Sequence, residues 1–343
     1  MYDEDLSLMR KICDAAKEAG VGAVIACDHA VLEYAKKIGQ NVHLSTQASV
    51  SNMGAVCFYA SYANVIVLAR ELKLEQIEYI IKQISSENVV GPSGELVRIE
   101  IFGHGALCVA ISGKCTMSLA QYNSSANRGA CLQACRREYT VTDKETGDQL
   151  DIDNEYIMSP KDLCTIGFLD KLISAGIGVL KIEGRGRAPE YVATVVRCYR
   201  EARDAIAEGT YTKEKISSWH EELSKVFNRG FWHGGYYLGK KLGDWSGEYG
   251  SHVKRTKNYV GKVTNYYAKS GVGEVLIQSG EVKAGDKFLV TGPTTGVIEG
   301  TIEEIRTDDK KEIAEKGDVF TFSVKKVRAN DKFYIYSQKS LSS

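Results

Sequence analysis

The sequence predicts an α/β protein: a TIM-type (β/α) barrel that lacks its first three βα units, followed by a small antiparallel β-barrel. Three observations predict this. Short β-rich runs alternate with helical patterns through the first 200 of 343 residues. Those runs are nearly continuously apolar, as strands are when helices cover both faces of a parallel sheet. From about residue 257 the pattern becomes short alternating strands split by Gly, Asp and Lys turns, the mark of a small antiparallel barrel.

Taken in order, the opening stretch "MYDEDLSLMRKICDAAKEAG" is amphipathic and helical in pattern. The strands are expected in "VGAVIACD" (21–28), "NVHLSTQ" (41–47), "NVIVLAR" (64–70), "LVRIEIFGHG" (96–105) and "IGVLKIEGR" (177–185). Helices are expected in "HAVLEYAKKIG", "NMGAVCFYASYA", "LEQIEYIIKQIS" and "SPKDLCTIGFLDKLISAG", the last with Ser159 as N-cap and Pro160 at its first position. Each strand ends in polar residues: Asp28, Ser45 with Gln47, Arg70 with Glu71, His104, and Glu183 with Arg185. Sites in parallel α/β folds lie beyond those carboxyl ends. No GxGxxG follows a strand, which argues against a dinucleotide fold. A complete barrel has eight strands, and the five seen here predict an open arc whose edges need a complementing protein chain. The expected domains are 1–200 (partial barrel), 201–254 (helical extension and a Gly- and aromatic-rich linker) and 255–343 (β-barrel).

Apolar residues make up 43% and charged residues 26%, as in an ordinary folded protein. Lys+Arg and Asp+Glu both number 44, so no global charge steers the chain toward nucleic acid. There is no apolar run long enough for a membrane span, and the start lacks the basic segment and apolar core of a signal peptide. The expected location is the cytoplasm, where thiols stay reduced.

There are nine cysteines, an odd number that argues against a disulfide framework. Cys13, Cys27, Cys57 and Cys198 sit in apolar patterns and are expected as small buried hydrophobes. The other five need another explanation. Cys108, Cys115, Cys131, Cys135 and Cys164 follow one another at intervals of seven, sixteen, four and twenty-nine residues. That is wrong for a zinc ribbon. One nucleophile does not explain five thiols. An iron–sulfur cluster needs four thiolates and tolerates irregular spacing, so it ranks above zinc.

The stretch "EIFGHGALCVAISGKCTMS" resembles the signature of peptidase family U-thirty-two, the collagenase-like peptidases, with Glu100, Phe102, Gly105, Cys108, Gly113, Cys115 and Ser118 in place. The likeness extends to "LSTQASVSN", "VLARELKLEQI", "NRGACLQACRREY", "SPKDLC" and "LKIEGRGRAPEYV". The C-terminal part is similar to the elongation-factor-like barrel that many members append. The resemblance implies an iron–sulfur protein that hydroxylates without molecular oxygen. It is nearest the branch that forms 5-hydroxyuridine at the tRNA wobble position with prephenate, a small dicarboxylate cosubstrate. It implies Cys108, Cys115 and Cys131 as ligands of a 4Fe-4S cluster. The fourth is Cys164, favoured because a helix start would stabilise its thiolate, or Cys135.

Other residues carry two readings each. His104 is a general acid or base, or a packed histidine. Glu183 is its partner in catalysis. Arg70 holds a carboxylate, or pairs with Glu71 at the rim. Alternation along one strand sends Lys181, Glu183 and Arg185 to the same face, where cations suit a dicarboxylate. Gln47 bonds substrate or satisfies a backbone group, and the outer Arg187 is solvated. Arg128, Arg136 and Arg137 flank the cysteines and suit phosphate. Lys254, Lys257, Lys325 and Lys326, with Tyr259, Tyr266 and Tyr267, form an RNA surface or serve solubility. No HExxH or GxSxG is present, and Cys108 with His104 is a weak protease dyad. A peptidase of unknown catalytic type and a non-catalytic partner subunit are the alternatives.

Overall fold

The computed structural model describes residues 1–140, 142, 144–147, 159–239, 251–253, 255–307 and 312–338. Lys254 and most of the expected linker lie outside the described residues. The chain divides into two compact units. One comprises Met1–Glu183, Tyr199–Ile216 and Asn228–Ser251; the other comprises Gly184–Cys198, Ser217–Phe227 and His252–Ser343.

The first unit opens with helix α1 (Leu6–Glu18), then strand β1 (Val24–Ala26), α2 (His29–Ile38), β2 (Val42–Leu44), α3 (Met53–Ala60), β3 (Val65–Val67), α4 (Leu74–Ser86) and β4 (Arg98–Gly105). Local chemistry sets the helix ends. The Asp28 carboxylate accepts from the Ala30 N–H at 2.9 Å and caps α2, which stops at left-handed Gly39. Asn52 caps α3 in the same way, accepting from Ala55. The strands β1, β2, β3 and β4 pair in parallel in that order, with Val65, Ile66, Val67, Ile99 and Ile101 in the core.

Beyond α5 (Met117–Tyr122) the chain departs from the expected plan. "SPKDLC" starts no helix. Asp162–Cys164 is strand β5, antiparallel to β4, with His104 opposite Cys164 and Gly105 opposite Leu163. The Asp162 carboxylate is buried and accepts from the Arg229 backbone and side chain at 3.3 and 3.4 Å. That long-range pairing outweighs local helical pattern, which survives only as α6 (Leu169–Ser174). Strand β6 (Val179–Ile182) is parallel to β4. The helices α7 (Pro189–Ala207) and α8 (Lys213–Ser224) follow, and β7 (Phe231–His233) pairs with β5. All five expected parallel strands are therefore present. Among the described pairings β1 has only β2 beside it, as the expected open arc requires, whereas antiparallel β5 departs from the all-parallel order of a TIM-type barrel.

The insertion of β5 also moves His104 from the expected open rim into the core, where it is 2% exposed. Its Nδ1 lies 3.3 Å from the Tyr199 hydroxyl, which donates to the Gly103 carbonyl at 2.8 Å and accepts from the Thr165 N–H at 2.9 Å. Burial, reinforced by nearby Cys164, pushes the Tyr199 phenol well above its ordinary range, so it stays a neutral donor. Tyr199→Phe leaves buried polar groups without this partner. Its expected cost is about 1–3 kcal/mol, read as a lowered urea midpoint at unchanged slope. Of the four scattered cysteines, Cys13 and Cys198 are buried as expected; Cys27 is half-buried and Cys57 exposed on the outer part of α3.

The second unit holds β8 (Arg255–Tyr267), β9 (Val272–Ile277), β10 (Glu281–Lys283), β11 (Lys287–Gly292), β12 (Gly296–Thr301), β13 (Arg306–Thr307), β14 (Ile313–Glu315), β15 (Val319–Ser323) and β16 (Lys332–Gln338). Seven of them form an antiparallel sheet in the order β12-β11-β16-β8-β9-β15-β13, and β10 pairs with β14. Both sets feed one core around Phe288, Phe320, Phe322 and Phe333, with ring centroids 5.0 to 5.8 Å apart. Among the described residues no helix is long and apolar enough to cross a membrane.

Candidate active site

The site is built where β4 runs out into the cysteine-bearing loop. Cys108 and Cys115 lie between β4 and α5, Cys131 follows α5, and Cys135 sits in a 3-10 turn over Ala134–Arg136. Several bonds fix this segment. The Arg136 guanidinium bonds Ser159 Oγ at 3.2 Å, the Pro160 carbonyl at 3.1 Å and the Leu107 carbonyl. The buried Ser118 hydroxyl accepts from the Leu132 N–H at 3.0 Å, and the Gln133 N–H points at Cys131 Sγ at 3.4 Å. Gly113 has φ +79°, and a Cβ there would sit 2.7 Å from Gln47 Cδ. Gly113→Ala is therefore expected to cost about 1–3 kcal/mol by strain and overpacking, with Gln47→Ala partly restoring the thermal midpoint by clearing the contact.

Four of the cysteines are carried by this segment. Burial pushes the Cys135 thiol up; the neighbouring Arg136 charge opposes this, and Cys108, Cys131 and Cys115 add to it. Cys135 thus shares one electrostatic neighbourhood with the other three, all of them half-buried. Cys164 is placed elsewhere. It lies on β5 rather than at a helix start, is 0% exposed, faces the Tyr199 hydroxyl at 3.9 Å and pairs across the sheet with His233.

Beside the loop is a charged set that sequence reasoning did not assemble. Glu100 on β4 is 4% exposed, and its carboxylate takes His43 Nδ1 and Lys181 Nζ, each at 3.1 Å. The Lys181 and His43 side chains are 22% and 29% exposed, so both reach solvent. Lys181 Nζ is 5.9 Å from the Phe102 ring centroid and the Arg70 guanidinium is 5.7 Å from it. Arg70 also donates to the Ala110 carbonyl of the cysteine loop at 3.1 Å. One continuous set of contacts therefore runs from the loop through Arg70, Phe102, Lys181 and Glu100 to His43. With Nδ1 donating to Glu100, Nε2 of His43 is the acceptor nitrogen.

Arg70 and Lys181 are brought together here beside Phe102, while Gln47 lies against Gly113 of the loop and accepts from Cys27 Sγ at 3.1 Å. Others are not. Strand β6 ends at Ile182, so the alternation that put Glu183 and Arg185 on one face with Lys181 stops short. Glu183 is half-buried and its N–H donates to the His104 carbonyl at 2.8 Å; Arg185 and Glu71 are exposed. Arg128 pairs with Asp5 at 3.0 Å and Arg137 bonds Tyr122, so neither presents a bare charge beside the thiols. Arg187 is not solvated as expected: its guanidinium lies 3.8 Å from the Phe227 ring centroid. A buried carboxylate holding one histidine and one lysine is legible only when strands β2, β4 and β6 are set side by side.

An open parallel sheet with a four-thiol loop and a carboxylate–lysine–histidine set past its central strand, joined in one chain to an antiparallel β-domain, defines the class. The chain belongs to Peptidase family U32, whose model matches residues 1–247. A protein named Collagenase from Porphyromonas gingivalis is 54% identical over 341 residues, which is 99% of this chain and 82% of that protein. A tRNA hydroxylation protein of Bacillus subtilis is 33% identical over 324 residues, covering 91% and 72%. A 23S rRNA 5-hydroxycytidine synthase of Escherichia coli is 34% identical over 251 residues, covering 71% and 36%.

Proposed function

We propose that this chain hydroxylates a pyrimidine of tRNA, forming 5-hydroxyuridine, with a 4Fe-4S cluster on Cys108, Cys115, Cys131 and Cys135 and with prephenate as the hydroxyl donor. The observation that supports this reading is a loop carrying four half-buried cysteines, tied through Arg70 to a buried carboxylate that holds a lysine and a histidine. The donor set suits the cluster. All four are soft sulfur ligands. The Gln133 N–H is directed at one of them, a bond that steadies a thiolate. Cys164, whose surroundings are the Tyr199 hydroxyl and β7, is left as a core residue in this reading.

When bound on four thiolates, which leave no iron open to an oxygen ligand, the cluster would supply electron-transfer chemistry at the site. The rest is the work of side chains. Lys181 and Arg70 flank the Phe102 ring and suit the carboxylates of a dicarboxylate donor. Exchanging a ring hydrogen for the donor's hydroxyl balances when the donor's C–O bond breaks with its electron pair left on the donor carbon, while a proton leaves the pyrimidine carbon and ends on that donor carbon. His43, held by Glu100 through Nδ1, is placed to take that proton at Nε2. His104 and Glu183 act through the backbone of β4 and β6 as positioning residues. Gln47 packs against the loop and keeps Gly113 in place.

The 54% identical relative named Collagenase supports a second reading, a peptidase. One experiment separates them. The protein is expressed in cells that lack their own tRNA hydroxylase, and tRNA nucleosides are resolved by mass spectrometry, while purified protein is incubated with gelatin. Appearance of 5-hydroxyuridine with intact gelatin supports hydroxylation. Gelatin cleavage with unmodified tRNA would reverse the assignment.

A further inference from the structure

We propose that a groove on the antiparallel β-domain grips the phosphodiester backbone of the RNA substrate, a step that rests on the RNA reading above. The groove encloses about 760 Å³ and lies between the β11–β12 turn and the segment that leaves β15. Three of its lining residues are the cations Lys325, Lys326 and Arg328, packed into four positions of a chain whose net charge is zero.

These cations are mounted on a fixed backbone. The Tyr266 hydroxyl donates to the Lys325 carbonyl, and the Arg328 N–H donates to the buried Asp331 carboxylate at 2.8 Å. Arg328 Nη1 donates to Thr295 Oγ1 across the groove at 3.1 Å, so its guanidinium is held in place rather than swinging in solvent. Lys325 and Lys326 are exposed. The lining also carries two acids, but Glu299 is met by Arg255 at 2.8 Å. That leaves Glu303 against three cations, and the balance of the groove is positive. A cleft lined by one sign of charge over apolar walls focuses its field on an anion.

The floor is apolar. Gly300 makes room for the Phe288 ring beneath the groove, since a Cβ at 300 would lie 2.8 Å from ring carbons. Lysine, arginine and threonine hydroxyls are the usual partners of phosphate oxygens, and such contacts position a nucleic acid without reading its sequence. A cationic wall over an apolar floor fits a chain of phosphates with sugars lying inward. An acidic peptide is the competing occupant, and the test includes it.

The test uses the full-length protein and a fluorescein-labelled, unmodified tRNA transcript, with Kd from anisotropy at several KCl concentrations. The Lys325→Glu/Lys326→Glu double variant is expected to raise Kd at least about tenfold. It should also flatten the slope of log Kd against log salt by about 1.4 to 1.8, the share of two phosphate contacts. Both side chains are exposed, so its thermal midpoint should match the parent. A control of equal charge on β10 and the β14–β15 turn, Lys283→Glu/Lys316→Glu, should move Kd less than about twofold, as rim charges away from a contact do. Parental Kd and slope in the first double variant, with tRNA still bound and hydroxylated, would overturn the groove assignment alone. Parent protein that binds no tRNA would remove both the groove and the RNA reading. Displacement of tRNA by polyglutamate but not by poly(U) would reassign the groove to an acidic protein.

Discussion

Cys108→Ser, Cys115→Ser, Cys131→Ser and Cys135→Ser should each reduce 5-hydroxyuridine formation to background, while Cys164→Ser retains it. The expectation follows from where the thiols sit. A serine hydroxyl is a hard, weakly acidic ligand, and a cluster that loses one of four thiolates is expected to lose iron with it. In the proposed reading Cys135 belongs to the set, since it sits in the same segment, where burial pushes its thiol up and the nearby Cys108, Cys131 and Cys115 add to that. Cys164 belongs to the packed core under Tyr199, and serine there buries a hydroxyl where a thiol was. Its effect should be on folding, at about 1–3 kcal/mol. The measurement is nucleoside mass spectrometry beside iron content for all five variants. Loss of iron and product in Cys164→Ser at unchanged stability, with Cys135→Ser unaffected, would move the fourth ligand to Cys164.

Glu100→Gln is the second large effect. Glu100 is buried, and it orients His43 while balancing Lys181. The amide keeps the shape and removes the charge. Removing one partner of a buried pair costs about 3–5 kcal/mol. The low end applies here, because Lys181 and His43 both reach solvent. Activity should fall further than stability, by at least about 10²-fold, the usual share of a positioned acid–base group. Iron content and the visible spectrum should be unchanged. A structural role alone would lower the thermal midpoint and leave kcat per folded molecule at the parental value. A companion variant, His43→Gln, should reproduce the loss in kcat with a smaller stability change, since His43 is the more exposed partner.

How much of this was legible follows from how each feature is encoded. The five parallel strands were readable because each run is largely apolar, and Val65–Val67, buried on both faces, shows the physical reason most clearly. The one cap that was expected, Ser159, failed with its helix, while Asp28 and Asn52, which do cap α2 and α3, were not read as caps although each sits immediately before an apolar helical pattern. Strand β5 was not, because Asp162–Cys164 owes its conformation to β4 and β7, about sixty residues away on either side, and not to its neighbours in sequence. For His104 the structure favours the packed reading over the acid–base one, since β5 covers the strand end that was read as open. The cysteine cluster was visible as a composition anomaly. The choice between Cys135 and Cys164 cannot be read from spacing, and the preference for Cys135 proposed above rests on Cys164 lying on β5 rather than at a helix start. Glu100 and His43 lay inside apolar runs, "RIEIF" and "NVHLS", where a lone polar residue carries no periodic signal. An acid in the middle of a buried strand was itself the available clue, because a buried charge must be paired.

The account stands or falls on the cofactor, and the direct measurement is iron and acid-labile sulfide in the full-length protein purified without oxygen. About four of each per chain, with broad absorbance that disappears in Cys115→Ser, is the expected result. Folded, colourless protein that contains no iron and still places 5-hydroxyuridine in tRNA would contradict it.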